Sequence, residues 1–166
     1  MNVGVKQFYI SCANSKTNRL ERIKQIFSKM EIRQCMIFTN YRDKAEWLTK
    51  KLKRDGFEVS CIHGQMEQEA RNQVMQKFRS GATKILITTN LLARGIDVPP
   101  VSLIINFELP KLKEANIHRV GRSGRFGRRA TAIHLVSDRE GKMLLDLQEF
   151  YAIEIPKLSD DLSEIE

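Results

Sequence analysis

Two hydrophobic periods alternate along this chain. Short runs that are apolar throughout suit strands covered on both faces, and apolar residues recurring every three to four positions suit amphipathic helices. The strand runs are Val5 to Ser11, Cys35 to Phe38, Phe57 to Ile62, Lys84 to Thr88, Val101 to Phe107 and Thr131 to Val136. Between the first two, Ser15 to Met30 predicts a helix with Leu20, Ile23, Ile26 and Phe27 on one face and Asn14 or Ser15 as its cap. Asp43 to Lys53 predicts a second helix, with Ala45, Leu48 and Leu52 inward and Gly56 past its end. Glu67 to Arg79 predicts a third, with Ala70, Val74 and Phe78 inward and Gly81 as its stop. Helices are also expected around Lys113 to Val120 and over Asp138 to Tyr151.

Strands alternating with helices of this length imply βαβ units. The expected class is α/β, a parallel β-sheet with right-handed crossovers and helices on both faces. The 166 residues fit one domain with a core over about 5–152, and residues 153–166 read as a loose acidic tail. Sheets of this kind bind ligands at the loops leaving the carboxyl ends of their strands, so those loops hold the candidate chemistry.

Composition narrows the class further. With 42% apolar and 29% charged residues the chain is neither disordered nor membrane-embedded. No apolar run reaches the roughly 18 residues of a membrane span, and the opening Met1-Asn2-Val3-Gly4 has no signal-peptide pattern. Cys12, Cys35 and Cys61 are odd in number and form no CxxC pair, so neither a disulfide framework nor a metal site is expected. Reduced thiols fit an intracellular protein, cytoplasmic or nuclear.

The net charge of +8 is unevenly spread. Seven basic residues and one acid lie between Lys111 and Arg129, whereas five acids and one lysine lie between Glu154 and Glu166. A dense basic block suggests a polyanionic partner, nucleic acid or nucleotide phosphate, against the plainer reading of a solvated basic surface.

Three loops follow strands or lie late in the chain: His63-Gly64-Gln65-Met66 with Gln68 and Arg71; Thr88-Thr89-Asn90 through Ala93-Arg94-Gly95-Ile96-Asp97; and His118-Arg119-Val120-Gly121-Arg122-Ser123-Gly124-Arg125-Phe126-Gly127. Arg122 and Arg125 bracket a Ser-Gly turn, and two guanidinium forks at that spacing can converge on one phosphate. The glycines there do not make a dinucleotide loop, because the segment follows a helix rather than a strand. A disordered Arg/Gly tract is disfavoured by the strand-forming runs close on either side. At the second loop, the Thr88 or Thr89 hydroxyl beside free N–H groups can hold a backbone phosphate. Asp97 offers an acceptor to a ribose hydroxyl, although an Asp near a Gly is by itself more often a turn former.

Taken together, Thr88-Thr89-Asn90…Ala93-Arg94-Gly95-Ile96-Asp97 followed by His118-Arg119-Val120-Gly121-Arg122-Ser123-Gly124-Arg125-Phe126-Gly127 resembles motifs V and VI of the DEAD-box RNA helicases. Met36-Ile37-Phe38 resembles motif IV, and Gln68-x-x-Arg71 the short RNA-contacting motif after it. The match covers about Val5 to Asp161, in order, and corresponds to the second, C-terminal RecA-like domain of such enzymes. The phosphate loop GxxxxGK[ST] and the Asp-Glu-Ala-Asp string, which the family carries in its N-terminal RecA-like domain, do not occur in this sequence.

The resemblance implies roles. Arg122 and Arg125 correspond to paired arginine fingers at the γ-phosphate of ATP, and His118 and Arg119 to contacts with the first domain's catalytic loop. Gly95 and Asp97 correspond to the motif V pair at the nucleotide, with Asp97 on the ribose. Asn40, Gly64, Arg71, Thr88 and Thr89 correspond to backbone contacts with single-stranded RNA. Mg2+ is expected to arrive with ATP, held mainly by the first domain. The expected partners are sequence-independent single-stranded RNA, the N-terminal RecA-like domain and a protein activator, with the chain itself a monomer and no membrane involved. Asn116 stands where the family usually has an aromatic, and Ala130 where it often has Gly. The Val5-Lys6-Gln7-Phe8-Tyr9 opening resembles the mRNA-export subgroup, while the short Leu109 to Glu114 join is closer to translation initiation factor 4A. The competing function is a non-catalytic module binding RNA or a regulator. A distinct α/β nucleotide enzyme would need a Gly-rich loop after the first strand, where Phe8 to Ala13 offers none.

Overall fold

The computed structural model describes residues 5–89, 101–113, 115 and 130–165. The described strands are β1 (Val5–Ser11), β2 (Cys35–Phe38), β3 (Val59–Ile62), β4 (Ile85–Thr88), β5 (Leu103–Asn106) and β6 (Ala130–Val136). They form one sheet in the order β1-β6-β5-β2-β4-β3, and every pairing is parallel. The helices are α1 (Lys16–Lys29), α2 (Arg42–Arg54), α3 (Gln68–Arg79) and α4 (Gly141–Tyr151).

The central strands are buried on both faces, as their continuous apolar runs require. Alternation along each strand separates the two sides. Cys35, Ile37, Ile85, Ile87, Leu103 and Ile105 meet Ile23 and Ile26 of α1 and Leu48 and Leu52 of α2. Met36, Phe38, Leu86 and Ile104 meet Met75 and Phe78 of α3 on the other side. Helices thus cover both faces, as the sequence predicts. A third cluster seats Leu144 and Leu147 of α4 against Leu109, Val136 and Ile155.

Helix ends follow local chemistry. Ser15 caps α1, its hydroxyl accepting from Asn18 N–H at 3.1 Å, while Asn18 Oδ1 accepts from Ala13 N–H at 2.8 Å. Gly56 and Gly81 follow α2 and α3 with φ of +91° and +81°, the left-handed conformation that closes a helix at little cost only for glycine.

Four expectations need correction. β3 begins at Val59 rather than Phe57, because Phe57 N–H still bonds Leu52 O at 3.0 Å and its ring packs on Phe27. On α3, Met75 and Phe78 are buried, whereas Ala70 and Val74 stay half-exposed: the stripe is rotated toward the sheet centre. The last helix is preceded by a separate 3-10 turn over Asp138–Glu140, because the Glu140 carboxylate accepts from Ser137 N–H and Oγ.

The fourth concerns the C-terminal stretch, which is docked rather than loose. Tyr9 N–H donates to Pro156 O at 3.0 Å and Leu158 N–H to Tyr9 O at 2.9 Å, so residues 156–158 cover the outer edge of β1. Leu158 and Leu162 are then buried in the core cluster beside α1, and Asp160 O accepts from Gln25 and Arg22. The acids cap a turn: Ser159 N–H donates to Glu164 and its hydroxyl to Asp161.

Cys12 and Cys35 are buried free thiols and Cys61 is a half-buried one. No described helix is long and apolar enough to cross a membrane.

Candidate nucleic-acid and nucleotide interface

Because all six strands are parallel, their carboxyl ends share one rim of the sheet. The order β2-β4-β3 sets three of those ends side by side. Phe38, Thr88 and Ile62 lie level in register. With neighbouring strands about 4.8 Å apart, the loops bearing Asn40, Thr89 and Gly64 leave the sheet within about 10 Å of one another. The fold therefore brings together the residues expected to touch RNA, with Arg71 in the first turn of α3 directly beyond Gly64.

Each has its own surroundings. Asn40 braces the rim: its N–H donates to Glu108 Oε1 and its Nδ2 to Leu109 O, both at 2.9 Å, tying the end of β2 to the end of β5. Glu108 is held in turn by Lys44 Nζ at 2.6 Å from Oε2. Thr88 is fully buried and its hydroxyl donates to Thr89 O at 2.9 Å, whereas Thr89 keeps 9% exposure. Of the two threonines, Thr89 is the better placed to meet a ligand. Gly64 is exposed in a turn closed by Met66 N–H donating to His63 O. Within that turn His63 Nδ1 accepts from Gln65 N–H, and its Nε2 stands 3.2 Å from Glu46.

Arg71 offers an unsatisfied donor. Its Nε is buried with no hydrogen-bond partner among the described residues. An unpaired buried donor is costly, and an anionic oxygen would satisfy it. Beside Asn40, Tyr41 is 41% exposed with Lys111 and Lys44 ammonium groups 4.3 and 5.0 Å from its ring centre. Gly95, Asp97, His118, Arg119, Arg122 and Arg125 lie outside the described residues, as does most of the helix expected around Lys113 to Val120. Among the described residues no group of three His, Cys, Asp or Glu could hold a metal ion.

The other half of the rim holds a feature that sequence reasoning missed. Arg19 is buried in the helical stripe of α1 and donates to Phe107 O, to Leu135 O at 2.9 Å and to Glu140 Oε1 at 2.6 Å. Glu140 Oε2 also accepts from Leu109 N–H at 3.1 Å. Burial pushes the Glu140 carboxyl up, yet the hydrogen bonds from Arg19 and Ser137 outweigh it and hold the group below its ordinary value. The pair borders a polar cleft of about 380 Å³ together with Ser15, Lys16, Lys44 and Arg139. Its only sequence signal is an arginine at i−4 and i−7 from Ile23 and Ile26, on the apolar face of α1.

A six-stranded parallel sheet whose β2, β4 and β3 ends carry Asn40, Thr88, Thr89 and Gly64 is the frame the resemblance requires. The family model for the helicase conserved C-terminal domain matches residues 18–127. The chain belongs to the DEAD-box helicases, as a C-terminal RecA-like domain. It is 44% identical over 162 residues to eukaryotic initiation factor 4A-1 of Arabidopsis thaliana, covering 98% of this chain and 39% of that protein. The chain thus spans about two fifths of the length of the curated DEAD-box relatives it matches. Among solved structures it is similar to Dbp5 of S. cerevisiae bound to RNA and ADP BeF3, with 38% identity and a TM-score of 0.89 over 99% of this chain and 44% of that one. It is also similar to the Dbp5 L327V C-terminal domain bound to Gle1 H337R and IP6, with 36% identity and a TM-score of 0.83 over 93% and 89% of the two chains.

Proposed function

We propose that this domain is the second RecA-like half of an ATP-dependent RNA helicase, which separates short RNA duplexes or remodels RNA–protein complexes. The observation that carries the reading is the likeness to Dbp5 in its complex with RNA and ADP BeF3, combined with the single rim on which Asn40, Gly64, Arg71 and Thr89 converge. In this reading Thr89, Gly64 and Arg71 meet phosphates of one strand. Binding is then nearly blind to sequence and falls with salt. Asn40, already donating to Leu109 O, shapes the loop from within.

In this reading ATP and Mg2+ are gripped chiefly by the partner RecA-like domain. This chain contributes Asp97 toward the ribose and Gly95 at the close approach. Arg122 and Arg125 supply forked N–H donors and charge to the terminal phosphate. Positioned arginines of this kind raise phosphoryl-transfer rates by about 10³–10⁵. His118 and Arg119 face the partner domain. A regulatory protein is a further proposed partner, by analogy with the Dbp5 C-terminal domain bound to Gle1. By itself the domain neither hydrolyses ATP nor unwinds RNA.

The test is RNA-stimulated ATP turnover in the full-length protein. Arg122→Lys and Arg125→Lys are expected to lower kcat by orders of magnitude with RNA affinity nearly unchanged, because an ammonium cannot form the fork. Recovery of kcat at saturating RNA would show instead that both arginines belong to a general RNA-binding patch. Arg71→Ala is expected to weaken all RNA sequences alike and to flatten the log–log salt dependence by about one unit of slope.

A further inference from the structure

The two edges of the sheet are treated differently. β1 is covered along its outer side by residues 156–158 of the same chain. β3, at the opposite edge, pairs with β4 alone among the described residues. A parallel ladder uses the N–H and C=O of every second residue toward one neighbour, so the remaining groups of Val59–Ile62 face outward.

This edge is flanked rather than bare. A groove of about 340 Å³ runs along it. Its floor is Ser60 and Cys61, and burial pushes the Cys61 thiol up, which keeps it neutral. The two walls differ because α2 and α3 cover opposite faces of the sheet. The α2 wall is polar, with Thr49 and Lys53. The opposite wall, from α3 and the turn before it, presents apolar Met66, Ala70 and Val74 with the polar Gln73 among them, and ends at Lys77. Val74 packs partly against the core, and it and Ala70, both half-exposed, also line the groove. Lys53 and Lys77 lie in the last turns of their helices, so both ammonium groups sit at the end where β3 begins. No carboxylate lines the groove among the described residues.

We propose that this groove is a docking site for an extended segment of a partner protein in which apolar and acidic residues alternate. Strand addition supplies main-chain hydrogen bonds to β3. Side chains of an added strand point alternately to the two faces of the sheet. One set therefore meets Met66, Ala70 and Val74, and the other meets Thr49 and Lys53. Charge complementarity selects this occupant over a basic segment, and period-two alternation selects it over a helix.

The probe is a synthetic heptapeptide, acetyl-Val-Glu-Val-Asp-Val-Glu-Val-amide, titrated into the 15N-labelled 166-residue chain and followed by amide chemical shifts. Shifts confined to Val59–Ile62 and the facing surfaces of α2 and α3 are expected, with loss of binding when lysines replace the peptide acids. The double variant Lys53→Gln/Lys77→Gln, at two exposed positions, is expected to weaken binding at least about tenfold with the melting temperature lowered by only a few degrees. A peptide with N-methylated amides on its strand-facing edge should fail to bind, since it cannot pair with β3. Undiminished binding by the N-methylated peptide or by the double variant, or no shift at about 1 mM peptide, would overturn the proposal. Single-stranded RNA perturbing the same amides in place of the peptide would overturn it too.

Discussion

Arg19 and Glu140 show how one buried ion pair organises a rim. The guanidinium reaches backbone carbonyls at Phe107 and Leu135, beyond β5 and within β6, while the carboxylate gathers N–H groups from Leu109 and Ser137. Removing one partner leaves the other charge buried and unpaired. Arg19→Met is accordingly expected to destabilise the domain by about 3–5 kcal/mol in urea denaturation, although a buried ion pair need not stabilise relative to an apolar replacement of both partners. The acid limb provides a second check. A carboxyl held below its ordinary value of 4.5 contributes stability that is fully present above that value and lost as pH falls through the lowered one. Glu140→Gln should therefore be less stable than the parent at neutral pH and lose less on acidification from about pH 5 to 3; parallel pH curves for the two proteins would disprove the linkage.

The elements were legible in the sequence to different degrees, for physical reasons. β2, β4 and β5 stand out because strands buried on both faces are apolar along almost their whole length, and α2 because its inward residues Ala45, Leu48 and Leu52 repeat cleanly over about two turns. The α3 stripe was legible only in part: of the row Ala70, Val74 and Phe78, the core buries Phe78 and partly takes Val74, but it also takes Met75, and Ala70 and Val74 line a surface groove. The meeting of the loops after β2, β3 and β4 at one rim was readable because parallel topology sends every strand-end loop to the same side. The Arg19–Glu140 pair was not, since its partners are 121 positions apart. The ends of α2 and α3 were readable from glycine. Gly81 has φ of +81° with open space around the position where a Cβ would stand, so Gly81→Ala meets backbone strain and no clash. The expected cost is about 1 kcal/mol, a fall of about 2–4 °C in Tm for a domain of this size. A rise in Tm on calorimetry would show that the turn tolerates a side chain.

At the scale of the whole molecule, the acidic C-terminal stretch belongs to the core that its composition seemed to exclude. Leu158 and Leu162 explain why: two leucines spaced by four among the acids bury themselves beside α1, and hydrogen bonds to Asp160 O hold the turn. Leu162 is fully buried, so Leu162→Ala should cost about 2–4 kcal/mol by urea denaturation; a cost near zero would mean that the stretch only rests on the surface. The same docking has a consequence for synthesis. Within this domain β1 is synthesised before the other strands, yet its ladder partner β6 lies about 125 positions later and its outer cover follows residue 155. At 5–20 residues per second the first strand waits roughly 6–25 s for its neighbours. Through that interval neither side of β1 has the partner it holds in the folded domain, so the nascent domain meets chaperones with that strand exposed until residues 156–158 have emerged.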